Sequence, residues 1–208
     1  MKQLTRKVIV FDLDGTLCDS LQLAVNKYNE LAAQWKLKPV DDLQAIRHES
    51  LQKVLAAHKL SKWKLPIIQY RLLKAMAARF KDLSAFPGVR EMLLELKERG
   101  YILGILTSNS RANTMQFLQA QNLQIFEFVY CGSSLFGKAR LLKRIKSIVK
   151  ATELYYVGDE NRDIEAAQAA HIPVIAVTWG YQAADLLAQY NPDKIVNTPE
   201  ELIAVFSN

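Results

Sequence analysis

The stretch Lys7-Val8-Ile9-Val10-Phe11-Asp12-Leu13-Asp14-Gly15-Thr16 decides the fold. Val8 to Phe11 are an unbroken apolar run, mostly β-branched, with no polar residue between them. A strand with one wet face alternates apolar and polar side chains; an unbroken run marks a strand covered on both faces, as in a parallel sheet. The run stops on Asp12, and a second acid and a glycine follow within three residues. Asp12 and Asp14 are two apart, so along a strand they point the same way. Where the chain leaves the strand at Gly15 their geometry can diverge, and the two acids can differ in role.

Four more segments read as buried strands: YILGILTSN (101–109), FEFVYCG (126–132), LYYVGD (154–159) and PVIAVTWG (173–180). KIVN (194–197) reads as a short edge strand. Between them lie helical patterns. VREMLLELKER (89–99) spaces its apolar residues at three and four and stops at Gly100, and 139–150 and 163–170 follow the same rule. Alternating strand and helix predicts an α/β fold with a doubly wound, parallel, Rossmann-like sheet. Residues 19–84 break the alternation. They carry three helical patterns, 21–35, 41–58 and 65–80, punctuated by Pro39 and Pro66, and end at the turn Phe86-Pro87-Gly88. This reads as a helical cap domain, 19–84, inserted after the first strand into a core domain of 1–18 and 85–208.

The chain has 208 residues, half of them hydrophobic and 23% charged, so neither disorder nor a coiled coil describes it. No apolar run reaches the ~18 residues of a membrane span. The opening MKQLTRKVIVFD turns acidic too soon for a secretory signal, and two cysteines, Cys18 and Cys131, make no disulfide scaffold. A cytoplasmic protein is the expectation, with no membrane partner; the oligomeric state is left open. The net charge of +6 lies wholly in 19–84, which holds 12 basic and 6 acidic residues. That excess suits a solvated helical surface or a region that attracts an anionic substrate. Nucleic acid is not indicated, because Trp35, Trp63 and Tyr70 are scattered and no basic stripe runs beyond a helix turn or two.

Chemistry gathers where the strands end. The first ends on Asp12 and Asp14, the second on Thr107-Ser108-Asn109, and the fourth on Asp159 to Asp163; Lys138 opens the helix after the third. Carboxyl ends of parallel strands line the crevice in which open α/β sheets bind ligands. Asp12, Asp14 and Asp159 there suit a hard cation such as Mg2+. A hydroxyl and a lysine suit the phosphate such a cation bridges. One carboxylate can then attack phosphorus while the other shuttles a proton.

With DLDGTLCDS, LTSN, Lys138 and GDENRDIEAAQAA in that order on these strand ends, the chain resembles the haloacid dehalogenase superfamily. Within it the chain is most similar to the phosphoglycolate-phosphatase-like group, whose helical cap follows the first motif. The resemblance covers nearly the whole chain. It implies a Mg2+-dependent phosphatase acting on a small phosphorylated metabolite, a phosphoglycolate-like substrate among the possibilities. It implies Asp12 as the nucleophile that forms an aspartyl-phosphate, and Asp14 as the acid/base. Thr107, Ser108 and Lys138 would bind the phosphoryl group. Asp12, Asp159 and the backbone carbonyl of Asp14 would hold the metal, and Asp163 would support it or orient Lys138. Similar proteins place a substrate-specificity segment near the middle of the insert, where Arg47 and His48 stand. Arg47 is the candidate contact for a substrate carboxylate, against a plain surface helix position.

The chain departs from the group's pattern in places. Lys138 is followed by Ala139 rather than proline, Ser108 stands where asparagine is common, and Glu160 where a small hydroxyl residue is frequent. A hexose-phosphate mutase of the same fold tends to carry an apolar residue at the position of Thr16. A phosphonate hydrolase would need a cap lysine for a Schiff base, and a haloacid dehalogenase lacks the second acid present here as Asp14. A non-catalytic binding module would not need all four motifs intact. Cys18 reads as packing, His48, His58 and His171 as structural, and Trp179-Gly180-Tyr181 as a core or hinge loop.

Overall fold

The structure, a computed structural model, describes residues 6–35, 37–49, 53, 65–132 and 137–207. Six strands form one parallel sheet: β1 (Lys7–Phe11), β2 (Ile102–Leu106), β3 (Phe128–Tyr130), β4 (Glu153–Gly158), β5 (Val174–Val177) and β6 (Lys194–Val196). Their order is β3-β2-β1-β4-β5-β6. The chain winds outward from β1 through β2 and β3, then returns to build β4, β5 and β6 on the other side. The reversal lies between β1 and β4, which pair with Phe11 opposite Val157. Winding in opposite directions from that point opens a crevice at the strands' carboxyl ends, and Asp12 and Asp159 are the residues that follow the two strands.

The unbroken run in β1 has the origin its sequence suggests. Ile9 and Phe11 join one apolar cluster, with Val89, Met92, Leu93 and Leu96 of α4 (Val89–Glu98), Phe117 of α5 (Arg111–Ala120) and Leu202 of α9 (Pro199–Val205). Val8 and Val10 join another, with Leu142 and Ile145 of α6 (Lys138–Ile148), Ile164 and Ala167 of α7 (Asn161–Ala170) and Leu187 of α8 (Ala184–Ala188). Successive side chains face opposite helical layers, so every position must be apolar. The fold is the expected doubly wound α/β sheet.

Between β1 and α4 the elements of the described residues are helices: α1 (Leu21–Trp35), α2 (Leu43–Arg47), α3 (Leu65–Met76) and a 3-10 segment, Ala77–Asp82, and Lys53 is helical as well. The chain leaves and re-enters the sheet side by side, Asp19 N–H donating to Ser84 O at 3.0 Å and Phe86 N–H to Leu17 O at 3.2 Å. Two helical expectations are interrupted within the described residues. The 65–80 pattern is α-helical only to Met76, then tightens to 3-10 as Met76 and Phe80 turn into the cluster that holds Phe11. The 41–58 pattern gives a helix capped by Asp42, which accepts from Gln44 N–H at 2.8 Å and Ala45 N–H at 3.0 Å. It ends at Arg47, whose carbonyl turns out to accept Ala183 N–H at 2.9 Å. Residues 50–52 and 54–58 of that pattern lie outside the described residues.

Gly104 faces Phe128 across the β2–β3 pair. A Cβ on Gly104 would stand 2.1 Å from the Phe128 ring, inside the space the ring fills. Gly104→Ala is therefore expected to destabilise the fold by about 1–3 kcal/mol, the usual cost of overpacking. Thermal or urea unfolding of the variant beside the parent checks it; equal stability would show that the ring swings clear.

Candidate active site

Asp12 continues the sheet ladder past β1, its N–H donating to Val157 O at 2.9 Å. This pins the backbone and sends the side chain into the crevice, where Oδ1 accepts Leu13 N–H at 2.8 Å. Oδ2 accepts the ammonium of Lys138 at 2.5 Å. Lys138 is the first residue of α6 and is 3% exposed. Its Nζ also donates to Asp163 Oδ1 at 2.6 Å and lies 5.7 Å from the centre of the Tyr156 ring. Asp163 is fixed from its own helix terminus: Oδ2 accepts Glu160 N–H at 3.1 Å, while Tyr156 O–H reaches Oδ1 at 3.3 Å. Three elements, β1, α6 and α7, thus meet in one chain of charges, Asp12–Lys138–Asp163.

Asp159 closes the other side. Oδ1 accepts Thr16 O–H at 2.7 Å and Oδ2 accepts Tyr181 N–H at 2.8 Å. Both contacts need bare backbone. Gly15 has φ +78°, and a Cβ there would stand 2.0 Å from Asp159 Oδ2; one on Gly180 would stand 2.2 Å from Gly15 O. Glycine is required at these positions for conformation at the first and for space at both.

Asp14 points elsewhere. Oδ1 accepts Ser20 O–H at 2.9 Å, and Oδ2 accepts the Asn109 side-chain NH2 at 2.8 Å. The Asn109 amide cannot be turned over, because its Oδ1 accepts Ser110 N–H at 2.8 Å. Thr107 is fully buried, and its Oγ1 accepts Asn109 N–H at 3.0 Å, which leaves the hydroxyl hydrogen to donate. The cap of α5 is Ser110, whose side chain accepts Asn113 N–H at 3.1 Å. The helix thus draws on neither Thr107 nor the half-buried Ser108 for its cap.

Burial sets the electrostatics. It pushes the Asp12 carboxyl up to about 7, although the Lys138 charge pulls the other way. Asp159 is raised well above the carboxylate range by burial and then by Glu160, Asp163 and Asp12. Burial likewise raises Asp14, and the Asn109 and Ser20 hydrogen bonds oppose it. Burial works against the Lys138 ammonium, but Asp12 and Asp163 outweigh it and raise its pKa. Carboxylate oxygens of Asp12, Asp159 and Asp163 lie within 4.8 Å of one another. Three acids thus crowd together beside the Lys138 ammonium, and a bound cation would let all of them ionise. An all-oxygen donor set of that charge fits a hard divalent cation.

The sequence-derived residues are therefore gathered, with one difference in grouping. The third carboxylate of the close cluster is Asp163, and the Asp14 side chain is engaged with Ser20 and Asn109. Arg47 stands at the seam between α2 and the loop after β5. One guanidinium NH2 donates to Thr178 O at 2.8 Å, and Nε is buried with no hydrogen-bond partner among the described residues. Beside it His48 Nδ1 meets Asp185 at 2.8 Å. Glu160 is paired with Arg162. Sequence reasoning gave no role to Ser20, Tyr156 or Gln182 and treated Tyr181 as core or hinge. Trp179 to Gln182 follow β5, so the strand-end rule that found Asp12 and Asp159 was enough to flag them.

The haloacid dehalogenase-like hydrolase family profile matches residues 9–177. The phosphoglycolate phosphatase of Synechococcus elongatus is 35% identical over 202 residues, covering 95% of each chain. That of Mesorhizobium japonicum is 28% identical, covering 93% of this chain and 92% of its own. Among solved structures, a haloacid dehalogenase-like hydrolase of Streptococcus pneumoniae superposes with a TM-score of 0.78 at 25% identity. That match covers 99% of this chain and all of the other. The chain belongs to the haloacid dehalogenase-like hydrolase family and, within it, to the phosphatases of the phosphoglycolate-phosphatase-like group. Among the described residues no helix is long and apolar enough to cross a membrane.

The raised Asp12 carboxyl has a consequence for stability. Its ordinary value is 3.8 and its folded value about 7, so between those limits the folded state holds the extra proton. Its contribution is then fully present below about 4 and is lost as pH rises towards 7. Metal-free protein is expected to lose melting temperature between pH 5 and pH 8, and a divalent cation to restore it at pH 8 by binding the ionised cluster. Calorimetry with and without Mg2+ checks this; a cation-insensitive melt at pH 8 would contradict it.

Proposed function

We propose that the protein is a Mg2+-dependent phosphatase that hydrolyses a small phosphomonoester through an aspartyl-phosphate on Asp12. The observation that carries this reading is the buried Asp12 carboxylate at the end of β1, held at 2.5 Å by the Lys138 ammonium. A carboxylate fixed beside a cation, at the mouth of a crevice, is placed to attack phosphorus while the cation receives the charge of the phosphoryl oxygens.

In this reading Lys138, the Thr107 hydroxyl and the Ser108 amide hold the transferring phosphoryl group. Asp163 keeps Lys138 aimed at it. Asp12 attacks phosphorus, and the bond from phosphorus to the leaving oxygen breaks. Asp14 gives that oxygen a proton, then takes one from the water that attacks the aspartyl-phosphate, releasing phosphate and restoring Asp12. Mg2+ would be held by Asp12, Asp159 and the backbone carbonyl of Asp14, with Asp163 in support, and would neutralise charge on the phosphoryl group. The helical segment between the paired linkers at Leu17–Asp19 and Ser84–Phe86 acts as a cap and carries the chain's whole positive excess. An acidic leaving group such as that of phosphoglycolate suits this charge and the names of the relatives.

The test is phosphate release from a panel of phosphomonoesters, with Mg2+ and with EDTA. Asp12→Asn is expected to fold and to lose at least ~10³-fold in kcat, since an amide forms no stable acyl-phosphate. A folded variant with more than a tenth of the parent's activity would remove Asp12 from the nucleophile's role. For the cap, Arg47→Ala is expected to lower kcat/KM on phosphoglycolate by ~10- to 100-fold. That is the loss of one charge-assisted contact of about 1.5–3 kcal/mol. The change on para-nitrophenyl phosphate, which has no second anion, should be small. Equal losses on the two substrates would assign Arg47 to holding the seam at Thr178.

A further inference from the structure

Ser20 and Tyr181 have no part in the roles proposed above, yet they complete a hydrogen-bond chain that ends on Asp14. Ser20 is fully buried. Its Oγ lies 2.9 Å from Asp14 Oδ1, 2.9 Å from the Tyr181 hydroxyl and 3.5 Å from Cys18 O. A serine has one hydroxyl hydrogen, and an ionised carboxylate only accepts. The short contact to Asp14 takes that hydrogen, so the serine oxygen accepts from the tyrosine. The order of donation is Tyr181 to Ser20 to Asp14. Each bond polarises the next, which strengthens the pull on the carboxylate.

Tyr181 is held tightly enough for its hydroxyl to act as an anchor. Its own N–H donates to Asp159 Oδ2 at 2.8 Å. Just before it, Gly180 is pressed against Gly15, and Trp179 Nε1 donates to Thr16 O at 3.0 Å. Just after it, Gln182 pairs with Asn161 twice, at 2.6 and 2.9 Å. The loop is therefore pinned to both acid-bearing strand ends, one residue to either side of the phenol.

We infer that Tyr181 is a positioning residue. Through Ser20 it fixes the carboxylate of Asp14, while its backbone fixes Asp159, so that one residue sets the proton-transfer group against the cation-binding acid. This role rests on the phosphatase reading. The two oxygens of Asp14 are treated differently. Asn109 donates to Oδ2 and the hydroxyl chain donates to Oδ1, so the carboxylate is oriented from both oxygens and loses one of its two holds when the chain is cut. In this role Tyr181 acts through Asp14 and Asp159.

Tyr181→Phe keeps the ring and the backbone contact to Asp159 and deletes only the hydroxyl. The measurement is kcat/KM for two esters: the alkyl phosphomonoester that the panel finds fastest, and para-nitrophenyl phosphate. This ratio reports phosphoryl transfer to the enzyme, and an alkoxide needs the proton of Asp14 to leave far more than a nitrophenolate does. The expected result is a loss of ~10-fold on the alkyl ester and about twofold on the nitrophenyl ester, with both KM values within about twofold of the parent. Ser20→Ala is expected to show the same bias, and the double variant to be no worse than the worse single one, because both remove one chain. Equal losses on the two esters, no loss on either, or additive losses in the double variant would each overturn the inference. Should Tyr181→Phe melt early, Ser20→Ala alone gives the same comparison, and an unbiased loss there overturns it as well. Turnover that survives Asp12→Asn would overturn the phosphatase reading and this role together. Turnover that depends on Asp12 but ignores Tyr181→Phe would overturn this role alone.

Discussion

Three buried carboxylates that share one site need a cation or a proton among them, and the cation in direct contact with two of them is Lys138, with Arg162 acting on Asp12 and Asp163 from farther off. The Lys138 ammonium lies between Asp12 and Asp163, and each acid is tied down by backbone donors as well. A buried ion pair contributes little net stability, because desolvating both partners offsets most of the attraction; losing one partner is what costs, commonly about 3–5 kcal/mol. The cluster is best regarded as a place where the fold gives up stability for chemistry. Asp12 and Asp159 remain raised even with Lys138 present. Burial first, and then the neighbouring acids, keep the two carboxyls raised, and a divalent cation bound among the three acids would offset their charge.

The rest of the molecule can be read as the means of holding that cluster in register. Opposite windings of the two half-sheets bring the ends of β1 and β4 side by side, and helices on both faces remove water from beneath them. The two glycines, Gly15 and Gly180, let the motif-one turn and the loop after β5 approach to van der Waals contact, so that Asp159 is gripped from both. The helical insert is not an independent appendage. Its last turn contributes Met76 and Phe80 to the same apolar cluster as Phe11, and α2 is bonded to the loop after β5 through Arg47 and Ala183. The insert thus touches the same loop that bears on Asp159 directly and on Asp14 through Ser20.

How much of this was legible in the chain depends on the range of the interaction. Strand identity comes from local patterning. Val8 to Phe11 had to be apolar at every position because both faces are covered, and the pattern could have arisen in no half-exposed strand. The acids were legible for the same reason: a hydrophilic residue ending an apolar strand has few structural uses, and several in one fold converge at one edge. Helix ends within the insert were less legible. The 3.6-residue pattern of 65–80 continues through Phe80, but burial of Met76 and Phe80 against the sheet decides where the α-helix tightens.

The sequence by itself determined the doubly wound sheet, the insert after β1 and the identity of Asp12, Asp14, Thr107, Lys138, Asp159 and Asp163 as the polar strand-end and helix-start residues. Each follows from local periodicity or a short motif, which depends on neighbours a few residues away. Only the tertiary structure decided what each of them touches. Asp163 rather than the Asp14 side chain joins Asp12 and Asp159, because the first turn of α7 aims it at Lys138 while Ser20 and Asn109 draw Asp14 aside. Tyr181 lies 161 residues from Ser20, and Gln182 lies 21 from Asn161. No pattern along the chain records such contacts, because they are made by the packing of one loop against two strand ends.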